Sequence, residues 1–150
     1  MKNKFNRGFT LIELLIVIAV IAVFASIVLV SLSTARNKGN DAGVKSNLIT
    51  VRSAADLFFD ANNASYGTFS AASCPNTLQV GNMFSSRNII DALNAAVLDS
   101  DGTSRCVSTP SAYAVAVGLK SGGSWCVDSL GRSRQVASVP ASSITGTACN

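Results

Sequence analysis

Few residues in this chain of 150 have the chemistry or the spacing for catalysis. It contains no histidine, which removes Ser-His-Asp and Cys-His nucleophilic systems and any metal site that needs an imidazole. Asp99 and Asp101 are close in sequence but stand in a turn-like stretch, and Lys120 lies beside glycines, so neither offers a positioned acid–base pair. No G-x-x-x-x-G-K-[ST] or G-x-G-x-x-G phosphate loop occurs. No catalytic residue, cofactor or metal is therefore expected, and the chain does not read as an enzyme. One residue is out of place. Glu13 is the only glutamate in the chain, and it sits inside an apolar run. A carboxylate is costly in such a segment, and the partner it calls for is a cation.

The element that carries Glu13 dominates the composition. Twenty of the 24 residues from Phe9 to Leu32 are apolar, and no charge occurs between Leu14 and Ala35. As a helix, those 22 residues rise about 33 Å, enough to cross a bilayer core. The Leu, Ile and Val reach all round the helix, so it must be covered on every side by lipid or protein. Lys2, Lys4 and Arg7 precede it and supply three of the four net positive charges, which leaves residues 9–150 nearly neutral. The positive-inside tendency then places residues 1–8 in the cytoplasm and the rest outside. An ordinary secretory signal would end at Val23-Phe24-Ala25, before Ser26. Neither that reading nor a plain anchor explains Glu13, and the run continues through Leu32.

Arg7-Gly8-Phe9-Thr10-Leu11-Ile12-Glu13-Leu14-Leu15 resembles the N-terminus of type IV pilin precursors and type II secretion pseudopilins. The resemblance implies a short basic leader cut between Gly8 and Phe9 by a prepilin peptidase, with N-methylation of the new Phe9 terminus. Gly8 fits such a site because backbone without a side chain enters a tight protease cleft. The cut leaves the apolar helix in the product and creates a cation beside it. Glu13 is then the expected counter-charge during assembly, on a neighbouring subunit or within its own chain. Pairing the two charges favours one axial register. Many members of that family have a Gly and a Pro farther along this helix; Ala22 and Val30 stand at the aligned positions, so no melting is expected there. Gly39 and Gly43 are the remaining candidates for a flexible point.

Beyond Arg36 the helical pattern becomes amphipathic. Val44, Leu48, Val51, Ala55 and Phe58 recur at spacings of four, three, four and three, with Leu57 on the opposite side. This stripe should pack on the protein's own sheet. Residues 9 to about 61 thus read as one helix, ended by the turn formers from Asn62 to Gly67. Tyr66-Gly67 resembles the end of the pilin helix, with Gly67 in place of the family's frequent Pro. Residues 68–112 are Ser/Asn/Thr-rich with one helical stretch, Arg87 to Leu98. Asp99-Ser100-Asp101-Gly102 lacks the downstream Glu of an EF-hand and reads as a plain turn. From Tyr113 the pattern alternates as a half-buried strand through Leu119. Turns at Lys120–Gly123 and Asp128–Gly131 then make a three-strand antiparallel meander ending near Val139.

The expected fold is α+β, a long N-terminal α-helix packed on a small antiparallel β-sheet head. Its segments are a leader at 1–8, a transmembrane and filament-core helix at 9–35, an amphipathic half-helix at 36–62 and a head at 63–150. Four cysteines in the exported part argue for two disulfides. Three pairings are possible. Cys126–Cys149, pinning the C-terminal end to the sheet, with Cys74–Cys106, tethering the polar stretch, is favoured. The expected function is a type IV pilin-like filament subunit, a single-pass membrane precursor with an exported head. Its partners would be its own copies, the prepilin peptidase and an inner-membrane assembly machinery. The alternatives are a type II secretion pseudopilin or a membrane-anchored binding protein that never polymerises. Nucleic acid is a minor option resting on Lys120, Arg132 and Arg134, three scattered cations.

Overall fold

A computed structural model describes residues 8–137 and 139–149; the leader residues Lys2, Lys4 and Arg7 lie outside the described residues. The first element is the helix α1, Leu11–Ala61, 51 residues long. The chain divides into two units, Met1–Arg36 and Asn37–Asn150. In the first, the large apolar side chains from Leu11 to Leu32 are 47–85% exposed among the described residues.

The second unit contains the core. Strands β1 (Phe69–Ala72), β2 (Ser104–Thr109), β3 (Ala112–Gly118), β4 (Ser124–Asp128) and β5 (Ser133–Val136) form a five-stranded antiparallel sheet in sequence order. Between β1 and β2 lie a short 3-10 turn, Met83–Ser85, and the helix α2, Arg87–Asp99. After β5 come a single turn α3 (Pro140–Ser143) and a two-residue hairpin, β6 (Ile144–Thr145) with β7 (Ala148–Cys149). The stripe predicted on α1 is the packing face. Val44, Leu48, Val51 and Ala55 are fully buried and Phe58 and Phe59 half-buried, while Leu57 is 69% exposed. Ile89, Leu93 and Ala96 of α2 close the same cluster over Tyr113, Val115 and Val117 of the sheet.

Three expectations change. The sheet has five strands rather than three, because β1 and β2 lie inside the polar stretch; β2 pairs with β3 throughout, with Cys106 opposite Val115 and Ser108 opposite Tyr113. Next, β3 is buried on both faces rather than one. Ala114 and Ala116 are fully buried against Val107, Cys126, Ile144 and Cys149, so the small alternate residues mark a second covered face, not solvent. Finally, Gly39 and Gly43 are both inside continuous helix. A Cβ at Gly43 would overlap the Asp99 carboxylate, so this glycine lets the end of α2 approach α1 closely.

Candidate functional site

Gly8 and Phe9 precede the helix and are exposed, Phe9 by 87%. A Cβ at Gly8 would meet open space, so local packing makes no demand for glycine there. The helix start is held by the neighbouring residues. Thr10 donates from N and from Oγ1 to Glu13 Oε2, at 2.8 and 2.7 Å, and Glu13 N–H donates back to Thr10 Oγ1 at 3.3 Å. This reciprocal arrangement is a capping box, which satisfies amides that the first helical turn leaves without partners. Glu13 therefore has a local task that the sequence analysis missed, although Thr-x-x-Glu before an apolar run signals it.

Two more carboxylates organise the head. Asp41, 5% exposed on α1, accepts from Lys120 N–H at 2.7 Å and Ser121 N–H at 3.3 Å, both in the β3–β4 turn. An acid 79 residues upstream thus fixes a hairpin tip. Replacing it by Ala leaves two amides without their acceptor, and Asp41→Ala should destabilise the full chain by about 1–3 kcal/mol in thermal unfolding. Asp128 is fully buried at the end of β4. Its Oδ1 accepts from Leu130 and Arg132 N–H, both at 3.0 Å, and its Oδ2 accepts from Cys149 N–H at 2.9 Å. The Arg132 guanidinium stands 3.8 Å from the same carboxylate.

The clasp continues on the other side of Cys149. Its carbonyl accepts from Arg132 at 3.3 Å and from Arg134 at 3.1 Å. The disulfides are Cys126–Cys149, across this clasp, and Cys74–Cys106, joining the segment after β1 to β2. Arg132 and Arg134 thus each donate to the chain's own backbone while remaining exposed. Lys120 contributes its backbone N–H to Asp41. Asp101 Oδ1 accepts from Thr103 N–H at 2.8 Å, so this acid closes the turn before β2.

Tyr113 is the largest fully buried side chain, and its hydroxyl has no hydrogen-bond partner among the described residues. Burial pushes its pKa up, reinforced by Asp56 and Tyr66 and opposed by Arg52. Tyr66 shifts the same way, through burial and then Asp56 and Asp60. The folded state holds both protons above the usual tyrosine pKa of about 10, whereas the unfolded chain releases them there. Their contribution is therefore complete below about pH 10 and lost as pH rises beyond it. Denaturant unfolding should show that fall. Tyr113→Phe should flatten it while changing stability at neutral pH by less than about 1 kcal/mol, since no hydrogen bond is removed.

Residues 3–29 match the family model described as the prokaryotic N-terminal methylation motif, a stretch that contains Gly8, Phe9, Thr10 and Glu13. The N-terminal segment carries that motif. The chain is 32% identical over 68 residues to type II secretion system core protein G of Klebsiella michiganensis, covering 45% of this chain and 47% of that protein. It is 52% identical over 42 residues to the type IV wide pilus major component PilA4 of Thermus thermophilus, covering 28% and 32% of the two chains. The matches therefore span about half of one relative and a third of the other. No solved structure matches the chain. The methylation motif is thus followed by an α+β head with two disulfides.

Proposed function

We propose that this chain is a structural subunit of a pilin-like filament, cleaved after Gly8 and methylated on Phe9. The observation that carries the reading is the methylation-motif match over residues 3–29, which takes in the start of an apolar helix left exposed among the described residues. Lipid covers such a helix in the precursor, and helices of other copies cover it in a filament. The segments follow: leader 1–8, filament-core helix 9–35, amphipathic half-helix 36–62 and exported head 63–150. The partners are further copies, the prepilin peptidase and an inner-membrane assembly machinery, and the chain performs no catalysis. The match to core protein G favours a secretion pseudopilin as the second reading.

Mass spectrometry of the mature N-terminus tests the processing. A methylated Phe9 start supports the reading, whereas an uncut chain or a start at Ser26 overturns it. The role of Glu13 needs a finer test, because the residue also caps its own helix. Glu13→Gln keeps a capping side chain but removes the charge that would face the Phe9 amine. Loss of filaments in both Glu13→Ala and Glu13→Gln, with insertion and head folding intact, is the expected result. Normal filaments from Glu13→Gln would reduce Glu13 to a cap.

A further inference from the structure

The head carries a groove of about 490 Å³ between α1 and α2. One wall is Thr50, Ala54 and Leu57 of α1, and the other is Asp91, Ala92 and Ala95 of α2. Short side chains on both walls let another helix approach closely, with its ridge in the groove between the two. Leu57 is 69% exposed at the lip, and nearby Ile49 on α1 is 53% exposed, an apolar margin on an otherwise polar helix face. Asp91 is the charged residue of the lining and is itself exposed.

The chain contains a helix surface of matching chemistry. Ala25, Leu29, Leu32 and Arg36 recur at spacings of four, three and four, so they share one face of the first unit's helix. Leu29 and Leu32 are 67% and 62% exposed, and Arg36 ends the uncharged run. Among the described residues the ion pair is Arg132–Asp128, and neither Arg36 nor Asp91 takes part in it. One side offers an apolar ridge followed by a cation; the other offers a small-residue groove with an anion.

We infer that the α1–α2 groove of one copy receives the Ala25–Arg36 helix face of a second copy, with Arg36 of the incoming helix against Asp91. This rests on the filament reading and deepens it: it names a head surface as the seat for a neighbour's helix. It also separates the work of two charges. The pair at Phe9 and Glu13 sets register inside the apolar bundle, and the pair at Arg36 and Asp91 sets which face of the head meets that bundle.

Charge reversal in the full chain tests it. Asp91→Arg alone and Arg36→Asp alone each place like charges together and should lower filament yield at least about tenfold. The double variant, Asp91→Arg with Arg36→Asp, should recover most of it. Both side chains are exposed, and retained disulfides and helical circular dichroism report that the head still folds. A photo-crosslinking residue in place of Leu57 should give a species of twice the subunit mass, joined to the tryptic peptide that ends at Arg36. Capture of lipid or another protein at that position, or a double variant no better than the singles, overturns the inference. Filaments formed normally by both single variants overturn it and leave the filament reading standing. Absence of filaments from the unmodified chain, with no crosslink from the Leu57-substituted one, removes both.

Discussion

Asp128→Ala should lower the stability of the full chain by about 3–5 kcal/mol, because several backbone amides lose their acceptor together at about 1–3 kcal/mol each. The carboxylate is fully buried, and three backbone N–H groups, from Leu130, Arg132 and Cys149, donate to it. Two of those amides define the β4–β5 turn, and the third holds β7 on the sheet. Alanine leaves them unsatisfied and leaves the Arg132 guanidinium without its counter-charge. Asp128→Asn keeps one acceptor oxygen and should cost about half as much. Thermal unfolding in detergent reads both. A loss below about 1 kcal/mol for the alanine variant would mean that the clasp is held by its disulfide alone.

Gly67→Ala should cost about 2–4 kcal/mol, and Gly67→Pro more. The residue has φ +69°, and a Cβ there would overlap the Gly81 carbonyl and the Asn82 backbone. Left-handed geometry costs a non-glycine residue roughly 1 kcal/mol, and forced overlap in a packed region adds about 1–3 kcal/mol. Proline cannot reach this φ, and it removes the N–H that donates to Ser65 Oγ at 3.2 Å. Gly81→Ala is the matched control, since Gly81 also has a positive φ, +81°, but its Cβ would meet open space. It should cost only about 1 kcal/mol, and equal losses at the two sites would refute the close-approach argument.

The parts of this fold legible in the sequence are those whose pattern is local and periodic. Val44 to Phe58 named the packing face of α1 because helical spacing gathers apolar residues on one side. Ile89, Leu93 and Ala96 did the same for α2. Strand β2 was not legible, because Ser, Thr, Cys and Arg supply most of its residues and its apolar partners lie in β3; β1 is only four residues long and pairs with Ser108 and Cys106 of β2. The role of Asp41 was not legible, because the amides it meets are about 80 residues away; Asp128 was placed in a turn, which its bonds to Leu130 and Arg132 N–H match, but its bond to Cys149 was not legible. Thr10 is different. Its bond to Glu13 spans three residues and follows a known helix-start pattern, so it was readable and was passed over for the longer-range role of the acid.

The double covering of β3 also bears on the order of events during folding. Part of the cover over Ala114 and Ala116 comes from Ile144 and Cys149, and the Cys126 thiol finds its partner at residue 149. That face of the central strand is therefore completed only when residues 144–149 dock on it. A head arrested during synthesis before that point would hold the α1–α2 face and an unfinished opposite one, with the Cys126 thiol unpaired. Closure of the second face is thus timed by the arrival of β7, and formation of the Cys126–Cys149 disulfide would act as its checkpoint.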